Sequence, residues 1–238
     1  MSKIRAVLFD FGGTLYDYGT LANAERESLV ELARWAGVDA DADTVQRAHR
    51  DAMRRVFRAY LPQTYYLHRD LFRDALVGML ENLGAHVHYD HLNRFRVAQW
   101  ERHARDFRLR DGVVDTLAAL RGRGLHVGLV SNIDDDQLDH LLAIAGLTTA
   151  FDATISSERA QSCKPDPQIY RAALAQAGCV PGAALFIGDT LAQDVAGANR
   201  VGLQSVLLWH RDDRDPPPSD APPRHVIRRI PQVLDLVA

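Results

Sequence analysis

Short runs rich in Val, Ile, Leu and Phe punctuate the chain at Ile4–Phe9, Leu125–Val130, Phe151–Ile155, Ala183–Ile187 and Ser205–Leu208. Runs of this length and composition predict strands buried on both faces, as in a parallel sheet. Between most of them the apolar positions recur at helical spacing, over Gly112–Arg121, Asp135–Ala145, Pro167–Ala177 and Asp194–Val201, and several of these segments end at glycine. Strand and helix in alternation predict an α/β fold, a doubly wound parallel sheet of Rossmann-like form.

One long stretch departs from that alternation. From Asp17 to about Arg105 the pattern is helical throughout: Val45, Ala48, Ala52, Val56 and Tyr60 keep one face, and Leu71, Ala75, Leu76, Met79, Leu80 and Leu83 another, closed by Gly84. The expected organisation is a core of residues 1–16 and 106–238 interrupted by an all-helical domain, 17–105. Inserted directly after the first strand, that domain is expected to lie over the carboxyl ends of the strands, where open α/β sheets place their active sites. The segment Asp212–Pro223, DDRDPPPSDAPP, reads as a surface loop before a last short strand and a helix over Pro231–Val237.

Composition narrows the function classes. The chain has 238 residues, of which 47% are hydrophobic, enough to fill such a core. A net charge of −3 gives no broad basic surface for nucleic acid or anionic lipid, so a small molecule is the expected partner. Oligomeric state is not legible. Cys163 and Cys179 have no metal-ligand spacing and suit a reducing compartment. With no apolar run near the ~20 residues of a membrane span, and an N-terminus unlike a signal peptide, the expected location is the cytoplasm.

Candidate chemistry collects where the predicted strands end. DFGGT (Asp10–Thr14), SN (Ser131 and Asn132), KPDP (Lys164–Pro167) and GDTLAQD (Gly188–Asp194) follow one another in that order. Together, with the helical insertion between the first two, they make the chain resemble the haloacid dehalogenase (HAD) superfamily of hydrolases with a helical, C1-type cap. The likeness covers essentially the whole chain, and it rests on four motifs at successive strand ends.

The residue types agree with the resemblance. Asp10 is ionised near neutral pH without help, so it can attack phosphorus as a nucleophile and form an aspartyl phosphate. Gly12 and Gly13 permit a tight turn that exposes N–H groups to an anion. Thr14 either adds a hydroxyl to that cradle or caps the next turn. Ser131, Asn132 and Lys164 can hold the oxygens of a transferring phosphoryl group, and Lys164 is one of only two lysines in an arginine-rich chain. Asp189 is placed to ligate Mg²⁺ together with Asp10, in a hard oxygen-only site. Asp194 either orients Lys164 or a metal-bound water, or is a helix N-terminal acid stabilised by the dipole. The resemblance further implies that the backbone carbonyl of Gly12 is a metal ligand.

Gly12 is the departure. In phosphatases of the family this position is usually an aspartate that protonates the leaving group and then activates water, functions typically worth 10²–10⁴-fold. Three readings follow. The leading one is a Mg²⁺-dependent phosphohydrolase acting on a good leaving group, such as an acyl or sugar 1-phosphate, or borrowing an acid from Asp17, His68, His86, His88 or His91. The second is a 2-haloacid dehalogenase, in which Asp10 attacks carbon and halide departs without a proton. The third is a phospho-ligand or partner-binding protein weakened in turnover. Phosphonate cleavage through a cap lysine is excluded, because no lysine lies between Lys3 and Lys164. Substrate choice is assigned to the inserted domain, whose Tyr60, Tyr65, Tyr66, Phe72, Phe95 and Trp100 serve as pocket wall or as packing. A glycine at position 12 with positive φ is also an expectation of the loop.

Overall fold

The computed structural model describes residues 3–211 and 213–237. Met1, Ser2, Asp212 and Ala238, the ends of the expected core and the first residue of the expected loop, lie outside the described residues. By its internal contacts the chain forms two compact units, Met1–Asp17 with Arg108–Ala238, and Tyr18–Phe107.

The first unit is a six-stranded, all-parallel sheet in the order β3-β2-β1-β4-β5-β6. Its strands are β1 (Ala6–Phe9), β2 (His126–Ser131), β3 (Ala153–Ser156), β4 (Ala184–Gly188), β5 (Gln204–Leu208) and the short β6 (His225–Ile227). All four residues of β1 and all five of β4 and of β5 are buried, the condition that removes alternation from their sequences. The chain builds outward from β1 to β2 and β3, then returns to the other side of β1 with β4. The reversal opens the carboxyl ends of β1 and β4 to one another, the place where such sheets hold ligands.

Helices α5 (Val113–Gly122), α6 (Asp135–Ile144), α7 (Ser157–Ala160), α8 (Pro167–Ala177) and α9 (Ala196–Arg200) connect the strands. Asp166 caps α8 by accepting from the Gln168 N–H at 2.9 Å, and Pro167 takes its first turn, where no N–H is needed. Tyr170 on α8 is fully buried and meets Phe186 of β4 edge to face at 5.0 Å. Two expected helices differ. Asp194–Val201 is a π-helical turn, Leu191–Val195, that passes into α9, because Val195 N–H reaches back five residues to the Thr190 carbonyl at 3.1 Å. Pro231–Val237 is instead a 3₁₀ segment, Ile230–Asp235.

The second unit contains α1 (Ala22–Trp35), α2 (Ala42–Tyr60), α3 (His68–Asn82) and α4 (Tyr89–Asp106). Leu29, Leu32, Val45, Leu76, Met79, Leu80 and Phe95 share one apolar core, which accounts for the two helical faces read from the sequence. Phe95 therefore belongs to packing. Tyr60 and Tyr66 meet edge to face at 5.4 Å, and Tyr60 donates to Asp74 at 2.6 Å. Among the described residues no helix is long and apolar enough to cross a membrane.

His49 of α2 gives this unit a pH dependence. Its side chain is only 12% exposed, and Glu25 Oε1 lies 3.6 Å from Nδ1, beyond good hydrogen-bonding distance. Burial, with a smaller contribution from Arg50, pushes the imidazole down to about 4. A folded-state value below the unfolded one means that the unfolded chain takes up the proton first. The contribution of His49 to stability is then constant above about pH 6.5 and falls between 6.5 and 4, by about 1–3 kcal/mol. Urea unfolding of wild type and His49→Gln at pH 7, 5.5 and 4.5 checks this, with a flatter profile expected for the variant and parallel profiles contradicting it.

Candidate active site

The site is built from four strand ends. Asp10 follows β1 directly, and its backbone N–H donates to the Ile187 carbonyl of β4 at 2.8 Å, which fixes the start of the loop against the sheet. Ser131 is the last residue of β2, Lys164 follows β3 and α7, and Asp189 follows β4. Parallel pairing in register, Phe9 with Ile187 and with Leu129, brings these ends side by side.

Lys164 stands at the centre. Its ammonium is buried and lies 2.5 Å from Asp10 Oδ1 and 2.7 Å from Asp194 Oδ1, with the Phe186 ring centroid 5.5 Å away. Its backbone N–H donates to Asn132 Oδ1 at 2.6 Å and its carbonyl accepts from Asn132 Nδ2 at 3.0 Å, so the Asn132 side chain is spent on aiming the lysine. Burial alone would lower the ammonium, but Asp10 and Asp194 outweigh it and hold the group above its ordinary value.

Asp10 is gripped on both oxygens. Oδ1 accepts from Lys164 and, at 3.2 Å, from the Ser131 hydroxyl; Oδ2 accepts from the Thr14 hydroxyl at 2.9 Å. Burial raises this carboxyl, Lys164 opposes the rise and Asp194 adds to it. Of the two uses considered for Thr14, the hydroxyl contacts the carboxylate. Asp194 Oδ2 accepts from the Thr190 N–H at 2.9 Å and hydroxyl at 2.6 Å, inside the π-helical turn. Gly188 is required beneath it, because a Cβ there would overlap the Asp194 side chain. Tyr170 supports the same turn, donating to the Gln193 carbonyl at 2.5 Å.

Asp10, Asp189 and Asp194 each bring a carboxylate oxygen within 4.8 Å of the others. Burial, then the charges of Asp10 and Asp194, pushes Asp189 up to about 7. Fully ionised, the three carboxylates exceed the one ammonium by two negative charges, a repulsion that adds to burial in raising Asp189. An all-oxygen donor set with that excess fits a hard divalent cation.

The first loop turns at Gly13, whose φ is +83°, while Gly12 is not among the described glycines of positive φ. The left-handed turn is thus one residue later than expected. Leu15 N–H closes the loop on the Phe11 carbonyl at 2.8 Å. Arg110, which sequence reading did not single out, donates to the Gly13 carbonyl from Nε and Nη2 at 3.2 and 2.9 Å, and pairs with Asp17 at 3.2 Å. In the helical unit His68 packs on Tyr66 and Phe72, with ring centroids 4.9 and 6.3 Å apart. His88 and His91 meet at 5.4 Å, and His86 is exposed.

The family model for haloacid dehalogenase-like hydrolases matches residues 4–202. The human haloacid dehalogenase-like hydrolase domain-containing protein 3 is 36% identical over 125 residues, a match spanning 52% of this chain and 49% of that protein. Over nearly the full length of both partners the chain is 29% identical to the glyceraldehyde 3-phosphate phosphatase of Methanopyrus kandleri, covering 98% of this chain and 97% of that one. It is 27% identical to (S)-2-haloacid dehalogenase 1 of a Pseudomonas species, covering 100% and 98%. Among solved structures, a Bacillus subtilis HAD-hydrolase bound to magnesium superposes with a TM-score of 0.76 at 19% identity, covering 99% of each chain, a likeness of fold.

Gly13 carries two separable constraints. A Cβ there would collide with the Asp189 carboxylate, and φ +83° is strained for any residue with a side chain. Gly13→Ala is expected to cost about 1–3 kcal/mol in urea unfolding, and only about 1–2 kcal/mol in an Asp189→Ala background, where the strain remains without the collision. Equal costs in both backgrounds would place the whole effect in the backbone.

Proposed function

Because the chain belongs to the haloacid dehalogenase-like hydrolases, we propose that it is a Mg²⁺-dependent phosphohydrolase of a small phosphorylated substrate. The observation that carries this reading is the buried Lys164 ammonium set among Asp10, Asp189 and Asp194, a group of charges matched to a phosphoryl group and a hard cation. The similarity to a phosphatase along the whole chain supports it. Asp10, Asp189 and the Gly12 carbonyl would hold Mg²⁺, which when bound neutralises phosphoryl charge.

In this reading the Asp10 carboxylate attacks phosphorus. The new bond is carboxyl oxygen to phosphorus, the broken one phosphorus to the leaving oxygen, and the product is an aspartyl phosphate. Lys164 and the Ser131 hydroxyl, both already on Asp10 Oδ1, stabilise the charge gathering on the phosphoryl oxygens, and Asn132 keeps Lys164 aimed. Thr14 holds the second carboxylate oxygen so that one face of Asp10 is presented. Asp194 fixes the ammonium from the far side. Water then attacks phosphorus, the carboxyl–phosphorus bond breaks, and Asp10 and inorganic phosphate are released.

The proton for the leaving oxygen has no donor at position 12. Asp17 is committed to Arg110, and His68 is packed between rings. The reading therefore favours a leaving group that departs readily, an acyl or sugar 1-phosphate, with the helical unit acting as the substrate-selecting cap. Dehalogenation is the second reading, favoured by the whole-length likeness to a 2-haloacid dehalogenase. It would use Asp10 on carbon and leave the Asp189 carboxylate without a task.

Two experiments test the proposal. Turnover of p-nitrophenyl phosphate is expected with Mg²⁺, to be lost in chelator and in Asp10→Asn, and to fall severely in Asp189→Asn; turnover of 2-chloropropionate undiminished by chelator would overturn it for dehalogenation. Gly12→Asp restores an acid at a position free of positive φ. For an alkyl phosphate its kcat/KM is expected to rise by up to about 10²–10⁴-fold, with a smaller gain for an aryl ester. No gain on either, in a folded variant, would mean that position 12 does not limit this site.

A further inference from the structure

Arg110 contacts three residues of one short piece of chain. Its backbone N–H donates to the Leu15 carbonyl at 2.9 Å, its guanidinium donates twice to the Gly13 carbonyl, and the same fork pairs with Asp17. A bridge between Tyr16 and Leu109 places the two segments antiparallel at that point. The side chain is only 18% exposed, against 47% for its acid partner, so the charge is held where its hydrogen bonds to the loop matter more than its solvation.

The target of the fork gives it a task. A trans peptide points its carbonyl and the following N–H in opposite directions. A guanidinium fixed on the Gly13 carbonyl therefore turns the Thr14 N–H to the other side of the Gly13–Thr14 peptide. Thr14 is fully buried, its hydroxyl touches Asp10 Oδ2, and its N–H has no acceptor among the described residues. A charged donor on the carbonyl also polarises the peptide, which strengthens the N–H as a donor.

We infer that Arg110 is a positioning residue of the active site, holding the Gly13–Thr14 peptide so that Thr14 presents its hydroxyl to Asp10 and its N–H to the substrate anion. Asp17 aligns the guanidinium by taking one of its remaining donors. Gly13 is then fixed on two sides, its carbonyl by Arg110 and its Cα by the Asp189 carboxylate. The inference extends the phosphohydrolase reading and names a residue outside the four strand-end motifs.

The test uses Arg110→Lys and Arg110→Ala in the full chain with p-nitrophenyl phosphate and Mg²⁺. Loss of a charge-assisted pair of bonds predicts a fall in kcat of about 10- to 10²-fold in Arg110→Ala, with KM changed by less than about threefold. Arg110→Lys, which can reach Gly13 or Asp17 but not both in fork geometry, is expected to fall between. Guanidinium at sub-denaturing concentration should restore part of kcat in Arg110→Ala, and sodium chloride at equal ionic strength should not. The Thr14 amide resonance provides a readout independent of turnover: it should shift in both variants. Wild-type kcat in Arg110→Lys, or an unmoved Thr14 amide, would overturn the inference, and these two measurements decide it if Arg110→Ala does not fold. A wild-type protein inactive on the phosphate ester would instead count against the phosphohydrolase reading, while the Thr14 amide still tests Arg110.

Discussion

The buried ammonium of Lys164 is the contact on which the candidate site depends, because it is the one positive charge set between two of three carboxylates that the sheet brings together. Removing a single partner from such a buried pair typically costs 3–5 kcal/mol, since it strands the remaining charge. The neighbours all serve this arrangement. Asn132 clamps the lysine backbone from both sides of its amide, Thr190 holds the far oxygen of Asp194, and Ser131 and Thr14 occupy the oxygens of Asp10. Each hydrogen bond is modest alone. Together they leave few ways for the charges to rearrange.

That cluster exists because of strand order. The chain lays β2 and β3 on one side of β1 and β4 on the other, so residues 10, 131, 164 and 189, distant in sequence, come together at one sheet edge. Local chemistry then refines the placement. The π-helical turn after β4 rests on Tyr170 through the Gln193 carbonyl and carries Asp194 back toward the lysine. A regular α-helix from Thr190 would present a different residue there, which is the usual use of such turns at functional sites.

The strands were legible because they are buried on both faces, and the helical unit because its two longest apolar faces share one core. Element ends were less so. The π-helical turn and the terminal 3₁₀ segment depend on single backbone hydrogen bonds that apolar spacing does not record. The left-handed turn falls at Gly13 and not Gly12, and the Asp189 carboxylate independently leaves no room for a Cβ at 13, tertiary facts invisible between two adjacent glycines. Arg110 left no signal at all. Its partner is a backbone carbonyl 97 residues away, and a lone arginine in an arginine-rich chain carries no pattern.

These contacts explain how the loop tolerates glycine at position 12. The loop is fixed by Asp10 N–H on Ile187, by Leu15 N–H on Phe11, and by Arg110 and Asp189 on either side of Gly13. None of these uses a side chain at position 12. Replacing an acid there by glycine consequently removes proton transfer while leaving the backbone path, and any carbonyl ligand on it, to be set by neighbouring residues. On the phosphohydrolase proposal, such a site keeps its electrostatic grip on an anion and gives up the acid, which matches substrates whose leaving groups depart without one.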